Sequence, residues 1–138
     1  MAKKQPKRWV NSPPKAAKPS VPDGIKTAVE AKAKELIDTV LKPQHVKPPP
    51  KNARFNYIID IGAKWYRNYL YFFSTYACPG PNALSPMFES KFARMEYVGN
   101  SRFNLSFMRH TGQWVELFTD MSVDECVKAI RDDPWFQP

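Results

Sequence analysis

The sequence predicts an α+β fold, an antiparallel meander of about five strands with a C-terminal helix on one face. Three observations carry this reading. Phe92 to Asp120 alternates with period two and is interrupted twice by turn residues. After Ser122 the apolar spacing switches to that of a helix. Residues 55–76 supply further aromatic strand material. An N-terminal helix and a disordered basic arm precede the sheet. The expected organisation is an arm at 1–21, a helix at 22–42, a proline-rich linker at 43–54 and a compact domain at 55–138.

The arm, MAKKQPKRWVNSPPKAAKPSV, has six Lys/Arg, no acid and four prolines. It cannot bury enough apolar surface to offset the entropy of ordering, so disorder is expected. Asp23 then stands as an N-cap before Ile25, Ala28, Val29, Ala33, Leu36, Ile37, Val40 and Leu41, the stripe of an amphipathic helix that Pro43 ends. This helix can dock on the domain, self-associate or bind a partner. Pro48-Pro49-Pro50 between Lys47 and Lys51 reads as a stiff spacer. Phe55 to Ile61 alternates as a strand, Gly62-Ala63 makes a turn, and Lys64 to Tyr76 forms a long aromatic strand with apolar groups on both faces. Such a strand is central, covered on both sides, or an oligomer contact.

The meander has a definite register. Gly112 suits the left-handed position of a three-residue loop, His110-Thr111-Gly112, which pairs Arg109 with Gln113, Phe107 with Val115 and Leu105 with Leu117. Treating Gly99-Asn100-Ser101 alike pairs Tyr97 with Phe103, Met95 with Leu105 and Ala93 with Phe107. One face then gathers these apolar residues, and a one-residue slip would mix the faces. Ser122 and Glu125 form a capping box, and Val123, Cys126, Val127 and Ile130 make one stripe of a short helix that covers that face. Pro134 ends the helix, and Trp135 or Phe136 is expected to fold back on the domain.

Charge is unevenly placed. Of the net +8, residues 1–54 carry 13 Lys/Arg against 4 Asp/Glu, whereas residues 55–138 carry 8 against 9. The split points to an arm that meets something acidic. Lys3, Lys4, Lys7, Arg8, Lys15 and Lys18 can contact phosphates while Trp9 stacks on a base. A solvated tail and an acidic protein partner are the other readings. No run of some 18 apolar residues suggests a membrane span. Two cysteines, Cys78 and Cys126, make neither a disulfide framework nor a zinc site, and a cytoplasmic setting is expected. No cofactor and no metal is expected.

The second sheet face is the other candidate surface. The register gives it Phe92, Arg94, Glu96, Asn104, Ser106, Met108, Trp114, Glu116 and Phe118, mixing groups that hydrogen-bond with rings that stack. Cross-strand pairing of Arg94 with Glu96 or Glu116, or cover by the N-terminal helix, would account for it equally. Arg109 and His110 at the following turn could grip a phosphate, but a lone His–Arg pair lacks the nucleophile and orienting acid that catalysis needs. The pattern Tyr97-Val98, turn, Arg102-Phe103, Phe107-Met108-Arg109, Trp114 and a capped helix resembles an uncharacterised bacterial domain of unknown function over about residues 88–138. The resemblance implies a small antiparallel sheet with a C-terminal helix and assigns no catalytic residue. The resulting expectation is a non-enzymatic module that binds DNA or RNA non-specifically through its arm. The alternative is a protein-interaction or self-assembling module, such as a homodimer, using exposed aromatic surface.

Overall fold

The computed structural model describes residues 19–49, 51, 55–81, 83 and 85–138. Five antiparallel strands form one sheet in chain order: β1 (Tyr57–Tyr66), β2 (Tyr69–Ala77), β3 (Met87–Gly99), β4 (Arg102–Met108) and β5 (Trp114–Met121). Ahead of the sheet, helix α1 (Asp23–Leu36) runs through a π turn at Ile37–Leu41 into α2 (Lys42–His45). Behind it comes α3 (Val123–Asp132). The expected α+β meander is the observed fold.

All of the helical apolar stripe lies on one side of the sheet. Val29, Ala33, Leu36, Ile37 and Leu41 join Cys126 and Ile130 in one core with Leu70, Phe72, Ala93, Met95, Tyr97, Phe103, Leu105 and Phe107. An ion pair of 2.8 Å between Lys32 and Asp124 links α1 to α3 along their exposed flanks. Burial pushes the Cys126 thiol up to about 12, which leaves it an inert core group. The capping box is complete: the Ser122 hydroxyl accepts from the Glu125 N–H at 3.2 Å, and the Ser122 N–H donates to the Glu125 carboxylate at 2.8 Å. Beyond α3, Phe136 folds into the core, while Trp135 stays 58% exposed with its ring 4.9 Å from Phe107. Ile130 and Phe136 together contribute roughly 3–6 kcal/mol of apolar burial before entropy.

The strand register of the meander holds at Ala93–Phe107, Met95–Leu105, Tyr97–Phe103 and Phe107–Val115. It departs where bulges intervene. Leu105 faces Phe118 rather than Leu117, because β5 carries an extra residue, and both Leu117 and Phe118 pack against the core. A second bulge between Phe72 and Phe73 turns Phe92 inward, 6.2 Å from Phe72. Phe92 and Phe118 therefore leave the second face, where strict alternation had put them. The β3–β4 turn is a two-residue loop, Asn100-Ser101, with φ of 54° and 58°, and Gly99 sits before it at 97°. That is the double left-handed signature of a tight hairpin rather than a three-residue loop.

The first hairpin turns in a different place from the expected one. Gly62-Ala63 lies inside β1, and the chain reverses at Arg67-Asn68, where Tyr66 pairs with Tyr69. Gly62 has a packing reason: a Cβ there would stand 2.8 Å from the ring of its cross-strand partner Phe73. Glycine lets the aromatic ring lie flat over the strand. Arg67 takes a left-handed φ of 55°. Asn68, buried, fixes the turn to β3: its carbonyl accepts from the Tyr97 N–H at 2.8 Å and its side-chain amide donates back to the Tyr97 carbonyl at 3.4 Å. Lys64 to Tyr76 is thus the end of one strand, a turn and the next strand, which explains its two-sided look.

The N-terminal helix also runs past its expected end. Pro43 is accommodated because the helix widens beforehand: the Lys42 N–H donates to Ile37, five residues back. A regular turn would drive the proline ring into the carbonyl four residues earlier. The N-cap is Pro22 and makes no side-chain cap; Asp23 is the first helical residue.

Candidate functional site: the open face of the sheet

The alternation that sends Leu70, Phe72 and Ser74 under the helices sends Tyr69, Tyr71 and Phe73 to the opposite face. Across the sheet the same face receives Lys64 from β1, Lys91 and Arg94 from β3, Ser106 and Met108 from β4, and Trp114 and Glu116 from β5. Phe73, Met108 and Trp114 lie outside the hydrophobic core. Both helices pack on the other side, so the N-terminal helix does not cover this surface.

The rings form a connected track. Tyr69 and Tyr71 stand 5.8 Å apart, and Tyr71 stands 5.8 Å from Trp114. Cations overlie them. The Arg94 guanidinium is 4.8 Å from both the Tyr69 and the Trp114 rings, Lys91 is 5.6 Å over Tyr71, and Lys64 is 4.7 Å over Phe73. Lys64 also reaches Glu89 at 2.6 Å. The Arg94 Nε is buried and has no hydrogen-bond partner among the described residues. Each cation over a partly solvated ring is worth about 0.5–1 kcal/mol. The ring faces thus already meet the protein's own cations, which argues against a cage for a cationic ligand. A flat, electron-rich ligand that can slide onto guanidinium and ring edges suits the surface better.

Several residues expected at this surface are there, and others are occupied elsewhere. Arg94 and Trp114 meet directly, and Met108 pairs with Trp114. Ser106 lies between Arg94 and Glu116 but is only 3% exposed, so it underlies the face rather than presenting a hydroxyl. Asn104 is committed to the fold: its side-chain oxygen accepts from the Asp120 N–H at 3.1 Å, satisfying the β5 bulge where Asp120 adopts a φ of 55°. Arg109 and His110 are exposed at the β4–β5 turn, where the Arg109 N–H bonds the Gln113 carbonyl at 2.8 Å as the three-residue loop requires. They border a cleft of about 620 Å³ that reaches Trp135. Lys3, Lys4, Lys7, Arg8, Trp9, Lys15 and Lys18 lie outside the described residues.

Tyr69, Tyr71, Phe73, Lys64 and Lys91 were not foreseen at this face. Their signal was the alternation of Tyr69, Tyr71 and Phe73 against Leu70 and Phe72, which emerges only once the turn is set at Arg67-Asn68.

Fold and face together define a class: a small α+β module with two helices under one side of a sheet and an aromatic, cation-bearing surface on the other. Within that class, the chain belongs to a family of domains of unknown function, DUF3024, whose model matches residues 20–138. The match takes in the whole sheet and both helical regions, well beyond residues 88–138. No curated protein and no solved structure matches the chain.

Proposed function

We propose that this is a non-enzymatic binding module for single-stranded nucleic acid, with bases stacking on the open face and phosphates meeting the basic N-terminal arm. The observation that carries the reading is the Tyr69–Tyr71–Trp114 track with Arg94 set between its ends. Stacking platforms of this kind accept any base, because every base has a π face. Charge supports a division of labour. On the face itself Lys64 is neutralised by Glu89, and Lys91 and Arg94 share the face with as many carboxylates, Glu96 and Glu116. A neutral face can stack but supplies little phosphate attraction. That attraction comes from the stretch before Pro19, where the sequence carries six Lys/Arg and no acid.

The described root of this stretch supports the same reading. Val21 is buried, and Pro19 comes close to Gly99 at the β3–β4 turn. Pro19 and Val21 also line a cleft with Tyr69. The arm therefore leaves the domain beside the Tyr69 end of the ring track. No described helix is long and apolar enough to cross a membrane. The buried Cys126 and the unbridged Cys78 fit a reducing, cytoplasmic setting.

Titration of the intact chain with a labelled single-stranded oligonucleotide tests the proposal. Trp114→Ala should weaken binding by about 1–3 kcal/mol, roughly five- to 150-fold, at every salt concentration. Removal of residues 1–18 should instead flatten the salt dependence, which for about five phosphates has a log–log slope near −3.5. Binding unchanged by both variants would reject the reading.

An alternative is self-assembly, a second copy binding through apolar aromatic sheet surface. Met87 and Phe88, 52% and 42% exposed, favour it, with Phe88 stacked on Tyr76. That alternative predicts a dimer insensitive to salt and no oligonucleotide binding.

A further inference from the structure

We infer that the cleft beside the β1–β2 turn is a backbone-phosphate site, through which a strand stacked on the open face leaves the sheet. The inference rests on the single-strand reading and deepens it by naming where the path continues and which cations take it up.

The cleft measures about 640 Å³, and among the described residues no acidic one lines it. Two cations do: Lys26, from the first turns of α1, and Arg67, at the tip of the β1–β2 turn. Lys26 lies 6.0 Å over the Trp65 ring, and the Arg67 guanidinium lies 5.3 Å over Tyr66. Neither has a carboxylate partner among the described residues, unlike Lys32, Lys42 and Lys64, which pair across elements; Lys91 and Arg94 of the open face share that lack of an ion pair. Two like charges sharing one acid-free cleft repel each other, and a bound anion would relieve that repulsion.

The backbone around the pair is set rather than loose. Arg67 is held at a left-handed φ of 55°, and its neighbour Asn68 is buried and bonded to Tyr97 through both its carbonyl and its amide. The guanidinium is therefore carried on a fixed turn.

Tyr69 gives the anion its identity. It lines the cleft, and it is also the first ring of the open-face track, with Arg94 at 4.8 Å and Tyr71 at 5.8 Å. Rings and unpaired cations thus follow one another along a continuous path, from Trp114 through Tyr71 and Tyr69 to Lys26 and Arg67. A polymer whose repeat couples a flat ring to a phosphate matches that order. A carboxylate-bearing protein segment would match the cations but not the succession of rings.

The test uses the full chain and a Lys26→Gln/Arg67→Gln double variant. Both are titrated with single-stranded oligonucleotides of about four and about twelve nucleotides, within the usual range of single-strand site sizes. The longer strand should bind the variant more weakly, with a log–log salt slope shallower by about 1.4, the loss of two phosphate contacts at about 0.7 each. The shorter strand, confined to the rings, should bind both proteins alike. An unchanged slope for the longer strand, or an equal loss for both lengths, would overturn the site while leaving the stacking face intact. Failure of the unaltered chain to bind either length would sink both the site and the single-strand reading. A thermal melt of the variant matching that of the parent shows that the comparison reports binding.

Discussion

Both faces of the sheet are aromatic, yet they hold their rings by different means. Under the helices, rings meet rings and aliphatic groups: Phe72 lies 6.2 Å from Phe92, and Tyr97 lies 5.5 Å from Phe103 in an edge-on pair. On the open side, rings meet cations drawn from the neighbouring strands. The first arrangement excludes water and stabilises the fold in proportion to area. The second leaves ring edges and guanidinium partly solvated, so it contributes less to folding and retains capacity for a partner. Aromatic content alone therefore does not distinguish a core from a recognition surface. What covers each ring does.

Neighbouring residues in β2 give the sharpest contrast. Phe72 is fully buried beneath the helices, and Tyr71, one position earlier, faces outward. Phe72→Ala should destabilise the domain by about 3–5 kcal/mol, as large-to-small core changes do. Tyr71→Ala, at a half-buried position, should cost clearly less, about 1–2 kcal/mol from its ring contacts and the part of its area that is covered. Chemical denaturation of the two variants measures both. Equal losses would mean that the open face is a second core and would break the comparison.

A smaller effect probes how the open face is built. Gly62→Ala would place a methyl group 2.8 Å from the Phe73 ring, which Lys64 holds from above at 4.7 Å. The ring must tilt, and the expected cost is about 1 kcal/mol, at the low end of overpacking because a ring edge can move. In a Phe73→Ala background the cost should vanish. A double-mutant cycle reads that coupling directly, and additive losses would show that Gly62 serves some purpose other than seating the ring.

The contrast between the faces also explains what the sequence disclosed. Ala93, Met95 and Tyr97 could be set opposite Phe107, Leu105 and Phe103 because apolar and polar residues alternate cleanly there and Gly99-Asn100-Ser101 marks the turn. The same clean period placed Arg94 and Trp114 together on the other face, where the structure brings them into contact. The first hairpin was opaque for a physical reason. A glycine inside a strand and a glycine in a turn look identical until the cross-strand ring is known, and Arg67-Asn68 turns without any glycine. Moving that turn concealed Tyr69 and Tyr71, the two rings on which the proposed site most depends. Bulges had the same effect on single residues, returning Phe92 and Phe118 to the core and engaging Asn104 at Asp120. A period of two cannot reveal where an extra residue is inserted.

The smallest effect concerns the closure of the covered face by α3. Hydrogen bonds from the Ser122 N–H and hydroxyl hold the Glu125 carboxyl below its ordinary value of 4.5, with Arg102 at 3.7 Å adding to the same direction. A carboxyl whose folded pKa lies below its unfolded one binds its proton more tightly when unfolded. Its contribution to stability is therefore present above the unfolded value and is lost as pH falls through the folded one. Glu125→Gln keeps a group able to accept from the Ser122 N–H but removes the titration. The melting temperature of the parent should exceed that of the variant at neutral pH, and the gap should close as the pH falls below the ordinary carboxyl value of 4.5 and on through the lower folded one. The carboxylate is exposed, so water and salt keep the gap small. At neutral pH the variant should bind a single-stranded oligonucleotide as the parent does, since Glu125 lies on the helix side of the sheet. Altered binding at neutral pH would show that the cap of α3 is felt across the sheet, and the two faces would then have to be treated as one coupled unit.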